Sequence, residues 1–166
     1  VIRYNYTGTT TDIFALSQQS SVNAYPKIYQ KATVNTITAS FQASSNGEGT
    51  DGVVIPGSLI GYKGNIYCLK TKSGSTYLMK YIYGTSFTEI GAIGLSPTNG
   101  IVPQMFIHPK DNRLYGASGY SAMSYDGTTL STRDFSTAHN ITSLTWQGNN
   151  IILGMVAKDT SGSVLG

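Results

Sequence analysis

Three stretches of this sequence follow one plan, a polar turn that leads into an apolar strand. They are "YKGNIYCLK" at 62–70, "HPKDNRLYGAS" at 108–118 and "WQGNNIILGMVA" at 146–157. Gly, Asn and Asp hold the turns, where their tolerance of positive φ suits a tight hairpin. Ahead of each stands another apolar segment, "VVIPGSLIGY", "IVPQMFIH" and "ITSLTW", and behind each a third, "STYLMKYIY", "YSAMSYD" and "SGSVLG". "YGTS" at 83–86 and "DGTT" at 126–129 close the first two groups. Asn65 and Asn112 are 47 positions apart, Asn112 and Asn149 37, and Tyr83 and Tyr125 42. A chain broken into short apolar runs by turns this often has no room for long helices, and no extended 3.6-residue period is present. The expected fold is all-β and antiparallel, with helix below about a tenth of the residues.

Composition points the same way. Only 11% of the 166 residues are charged, against roughly 25% in an average soluble domain. Polarity comes from Ser, Thr, Asn, Gln and Tyr, with Tyr supplying 12 of the aromatic residues. Tyr, Thr, Val and Ile favour strands, and scarcity of Lys and Glu removes good helix formers. The formal charge of +3 is scattered with no basic run, which excludes an electrostatic grip on nucleic acid. No run of 18 apolar residues predicts a membrane span, and no signal peptide is recognisable. Opening at Val1 rather than Met is expected of a processed or excised product.

A repeat of about 40 residues with three or four antiparallel strands is the pattern of a β-propeller blade. Residues 53–166 resemble the blades of kelch, lectin and phage-tail propellers. "SYDGTT" at 124–129 resembles the Asp-box turn of sialidases without the aromatic that closes it. The resemblance implies a propeller or partial propeller; an irregular β-sandwich, which also alternates hairpins, is the alternative. The chain reads as one all-β domain, 1–166, in which 14–52 is a degenerate blade or one long insertion.

The two ends complete each other. "RYNYTGTTTDI" at 3–13 and "KYIYGTSFTEI" at 80–90 share Tyr4/Tyr81, Tyr6/Tyr83, Thr11/Thr88 and Ile13/Ile90. Placed head to tail, "SGSVLG" and "VIRYNYTGTTTDI" rebuild the interior "SGSTYLMKYIYGTSFTEI". Residues 1–7, with Arg3, Tyr4 and Tyr6, are therefore expected to pair with the sheet that holds Ser161 and Val164. The partner is the same chain, another subunit or the remainder of a longer chain, because an unpaired edge strand invites association.

Groups able to do chemistry are sparse. His108 and His139 have no metal-ligand spacing, and His108, before Pro109, reads as a solvated turn residue. The acids fall mostly in Gly/Thr/Asn turns; Asp12 and Glu89 are the one pair to nominate, and the repeat makes them equivalents rather than partners in a glycosidase cleft. Cys68 sits in an alternating strand with no His nearby, so a buried, unreactive thiol is expected. No nucleophile elbow, phosphate loop or HExxH motif occurs. The reading is non-enzymatic, with no catalytic residue, metal or cofactor.

Binding residues are better represented. Trp146, Tyr62, Tyr115 and Tyr120 lie on or beside turns among Asn, Gln, Ser and Thr, a setting that suits sugar stacking and adaptable protein contacts. The same residues also serve as ordinary strand packing, and Trp146 fits a blade-core anchor equally. "NYT" at Asn5 and "NIT" at Asn140 match the glycosylation acceptor pattern. The expected function is an extracellular, cell-surface or virion module for attachment, receptor binding or assembly of a tail, spike or fibre. Its expected partners are other subunits and a host-surface glycan or protein. A propeller-type carbohydrate-binding lectin and a glycoside hydrolase fragment are the alternatives.

Overall fold

The computed structural model describes residues 2–4, 12–17, 27–33, 36–43, 53–55, 58–82, 86–96 and 104–158. Fifteen strands and no helix are found among them, as the composition predicts. No helix among the described residues is long and apolar enough to cross a membrane.

The first sheet is an antiparallel meander of β1 (Ile2–Tyr4), β2 (Asp12–Ser17), β3 (Lys27–Thr33) and β4 (Thr36–Ala43). Arg3 pairs with Ile13 and Tyr4 with Asp12, so β1 finds a partner in its own hairpin. Tyr6, Ser161 and Val164 lie outside the described residues, and with them the expected junction of the two ends. The two copies of the internal repeat each run from one strand into the next, but at the start of one sheet and at the end of the other. "RYNYTGTTTDI" runs from β1 into β2, and "KYIYGTSFTEI" runs from β8 into β9 of the next sheet.

That sheet holds β5 (Val53–Val54), β6 (Ile60–Tyr62), β7 (Asn65–Lys72), β8 (Ser75–Ile82) and β9 (Ser86–Leu95). β5 and β6 both pair with β7, so they act as two pieces of one strand position in a four-position meander. Ser58 repairs the break between them. Its hydroxyl donates to the Ile55 carbonyl at 2.7 Å and accepts the Leu69 amide at 2.9 Å, while Ile55 N donates to Leu69 O. Ser58 and Leu69 are buried, so Ser58→Ala would orphan an amide in the interior. A stability loss of about 1–3 kcal/mol is expected, and a chemical denaturation curve that matches the parent would contradict it.

Five successive residues of β7, Ile66 to Lys70, are buried, a run that alternation alone does not give and that marks a strand covered on both faces. Cys68, which is in no disulfide, is buried within it. Two-residue turns enter and leave this strand. Lys63 and Gly64 both have positive φ, as do Ser73 and Gly74, the type I′ pattern that matches strand twist. Asn65 Nδ2 donates back to Lys63 O at 2.9 Å.

A third meander contains β10 (Gln104–Ile107), β11 (Leu114–Ser118), β12 (Ser121–Tyr125) and β13 (Leu130–Asp134), and a hairpin follows of β14 (His139–Gln147) and β15 (Asn150–Ala157). None of the sheet orders closes on itself as a barrel among the described residues. The chain divides into two compact units, residues 1–73 with 78–90, and residues 74–77 with 91–166.

In the second unit the β10–β13 sheet meets other strands on both faces over β10–β12, while Ser131–Asp134 of β13 are exposed. Residues 91–95 of β9 approach one face so closely that a Cβ on Gly94 would overlap the Ser121 side chain. Gly119, at φ +59°, brings the β11–β12 turn to the Leu95 carbonyl. Ser118 Oγ lies 2.7 Å from Thr76 Oγ1 and 2.9 Å from Leu95 O, a buried hydroxyl junction at the same place. On the opposite face Ala117, Ile141 and Leu144 form a small core with Phe106, Tyr115, Ala122, Ile151 and Leu153 packed around it. Asn140 is 1% exposed and its Nδ2 has no hydrogen-bond partner. A glycan attached to that nitrogen would have no room, so the acceptor pattern there is unusable in this packing; Asn5 lies outside the described residues.

Candidate functional site

The best-organised polar and aromatic cluster lies where the 108–113 loop meets the β14–β15 turn. The loop is closed by His108 N donating to Arg113 O and by Asn112 N donating to His108 O, with Asn112 at φ 51°. Asp111 occupies its centre. Its Oδ1 accepts the Arg113 amide at 3.1 Å and stands 2.9 Å from His108 Nδ1, and its Oδ2 accepts the Tyr115 hydroxyl at 2.7 Å. The other ring nitrogen of His108 faces the Gly148 carbonyl at 3.3 Å, which ties the loop to a hairpin 40 residues away.

These contacts overturn the reading of His108 as a solvated turn residue. It is 2% exposed, because the 109–112 loop and the β14–β15 turn close over it from two sides. Its ring stands edge-on to Tyr115 and Trp146, at 5.9 and 6.4 Å. Phe106 stacks against Tyr115 at 5.8 Å and against Trp146 at 5.1 Å. Four rings therefore brace one another, a cross-element arrangement that adds stability beyond burial alone.

Trp146 remains 43% exposed. One part of the indole is packed on Phe106 and the rest faces solvent, and Gln147, Asn149 and Asn150 of the adjoining β14–β15 turn are exposed. A braced aromatic surface beside an amide-rich turn is chemically suited to stack on the apolar face of a sugar or on a flat side chain.

The four candidate aromatics are not brought together as one site. Trp146 and Tyr115 share Phe106. Tyr120 stands at the opposite end of β11, in the β11–β12 turn, with Lys158 Nζ 5.6 Å from its ring centre. Tyr62 is 2% exposed and packs on Tyr67 at 6.0 Å, so it serves the interior of the first unit and offers no surface. Sequence reasoning missed Phe106, His108 and Asp111. The spacing of His108, Asp111 and Tyr115, at positions i, i+3 and i+7, was the one signal that could have joined them.

Partial burial pushes the Asp111 carboxyl upward, but hydrogen bonds from Tyr115, the Arg113 amide and His108, with the electrostatics of His108, outweigh it and hold its pKa below the ordinary 3.8. Burial, then the Asp111 carboxylate, raises the Tyr115 phenol above 10.0. A depressed carboxyl stabilises the fold above its unfolded pKa, and that contribution fades as pH falls through the lower folded value. The stability advantage of the parent over Asp111→Asn should accordingly be full at pH 7 and shrink as pH falls below about 4. Thermal melts giving the same difference at pH 7 and pH 3 would contradict this.

His108 is enclosed, and no group of three His, Cys, Asp or Glu able to hold a metal exists among the described residues. Glu89 faces Lys72 at 4.0 Å; the side chain of Asp12 lies outside the described residues. Comparison with known protein families, with curated proteins and with solved structures returns no match for this chain.

Proposed function

We propose that the chain is a non-enzymatic attachment module of an extracellular, cell-surface or virion structure, and that Trp146 makes its principal ligand contact. The observation that carries this reading is the half-exposed indole held on a braced aromatic base. Such a surface loses little conformational freedom on binding, and preorganisation of that kind favours affinity. The exposed amides of the adjoining turn, Gln147, Asn149 and Asn150, favour a host-surface glycan over a strongly charged partner. In the same reading the four-position meanders are blades of a propeller or partial propeller. The approach of residues 91–95 to one face of this sheet and of β14 to β10 and β11 on the other supports a stacking of blades.

Labelled protein applied to an array of immobilised glycans and to intact cells tests the proposal. The parent is expected to be retained, and Trp146→Ala to lose about thirtyfold in affinity, ~2 kcal/mol, the scale of an aromatic hot spot. Equal retention of the variant, or absence of retention on both surfaces, would count against the reading. Release of sugar from the array would overturn its non-enzymatic part.

A further inference from the structure

Each ring nitrogen of the enclosed His108 meets an oxygen acceptor. Nδ1 is 2.9 Å from Asp111 Oδ1, and Nε2 is 3.3 Å from the Gly148 carbonyl oxygen. A neutral imidazole carries one N–H and can donate to only one of them. With the proton on Nδ1, the lone pair of Nε2 is aimed at the Gly148 carbonyl. With the proton on Nε2, the lone pair of Nδ1 is aimed at a carboxylate, and the Asp111 amide that donates to it stands 3.5 Å away, a weak compensation. Only the doubly protonated ring donates to both oxygens at once.

We propose that His108 is a proton-operated clamp: the protonated ring ties the 108–113 loop to the β14–β15 turn and fixes Trp146, and loss of the proton loosens the tie to the turn. Two features support it. A cation in a site only 2% exposed needs a counter-charge, and Asp111 is held in place as one. Its Oδ2 accepts the Tyr115 hydroxyl and its Oδ1 the Arg113 amide. The two bonds of the ring also act in series between a loop and a hairpin 40 residues away. Trp146 leads into that turn with its ring against the edge of His108. A hydrogen bond from a charged donor is about twice as strong as a neutral one, so the proton changes the tie where it bears on the indole.

Among the described residues, the titratable groups that face the ring are Asp111 of the loop and Tyr115 of β11. The β14–β15 turn brings the Gly148 carbonyl and the Trp146 ring, which do not titrate. Arg113 is turned toward Ser124 and Asp126, and Lys110 is exposed. The closed clamp holds the proton more firmly than the open one, so the clamp is full on the acid side and is lost as pH rises. Imidazoles change charge between about pH 5 and 8. The Asp111 carboxyl titrates below its ordinary 3.8, so the counter-charge is present throughout that range. The effect on ligand affinity rests on the reading of Trp146 as the ligand contact; the clamp itself does not.

The test compares the full chain near the two ends of that range, at about pH 5.5 and about pH 8. NMR of isotope-labelled histidine rings should show both nitrogens of His108 protonated at the acid end, with ring N–H protons slow to exchange. Acrylamide quenching of Trp146 should be steeper at the alkaline end. His139 is the other histidine, and His139→Gln should keep this difference, whereas His108→Gln, whose amide does not titrate, should abolish it. Retention of the parent on the glycan array should be about fivefold stronger at the acid end. A His108 ring with one bare nitrogen at the acid end overturns the clamp, a result that needs no variant. Equal quenching at the two ends overturns it as well, and so does a difference that persists in His108→Gln. A pH-dependent indole with no retention on the array at either end supports the clamp and counts against the ligand reading alone.

Discussion

Replacing Gly119 with alanine is expected to lower the melting temperature by roughly 10 °C. Two independent costs meet at this residue. Its φ of +59° is a left-handed conformation that a side chain disfavours by about 1–2 kcal/mol. Its added Cβ would also stand 2.7 Å from the Leu95 carbonyl oxygen, a backbone atom that cannot rotate away, and overpacking of this kind costs about 1–3 kcal/mol. Gly148 is the control. It has nearly the same φ, +60°, and nothing within 4 Å of the Cβ position, so Gly148→Ala should show the conformational cost alone, about 1 kcal/mol. Equal melting temperatures for the two variants would mean that β9 does not approach the β11–β12 turn as described.

His108→Ala should be comparably damaging and should reach the ligand surface as well. The substitution removes a buried ring that joins Asp111 to the Gly148 carbonyl and that braces Tyr115 and Trp146 by their edges. A cavity and an unsatisfied carboxylate together cost about 2–4 kcal/mol. Trp146 is the single tryptophan of the chain, so its emission reports this neighbourhood alone. A shift to longer wavelength, at a temperature where the variant is still folded by circular dichroism, is the expected signature of a loosened indole. Unchanged stability and unchanged emission would show that His108 braces nothing.

The all-β architecture and its hairpins were legible in the sequence because they depend on local chemistry. The "QGNN" turn falls on Gly148 and Asn149, as read. "YKGN" reads the same way yet turns one residue earlier, on Lys63 and Gly64. Asn65 begins the strand instead, with its amide folded back on Lys63 O, so a Gly-Asn pair fixes the neighbourhood of a turn but not which residue takes the corner. Residues whose environment comes from distant strands were misplaced. Tyr62 borders a turn and looks accessible, yet it is buried with its ring beside Tyr67. His108 borders another turn, and its burial is created by a hairpin 40 positions further on. Trp146 was nominated both as a ligand contact and as a packing anchor, and its position explains why: one portion of the ring packs on Phe106 and the other is open.

The central claim is that Trp146 is a preorganised contact surface. Acrylamide quenching of tryptophan emission tests it most directly, first on the free protein and then with the soluble oligosaccharide that the glycan array retains most strongly. The free protein should be quenched to an intermediate degree, between a buried and a fully exposed indole, and saturation with the oligosaccharide should suppress that quenching. Quenching that is unaltered by a saturating ligand would place binding away from Trp146 and contradict the account.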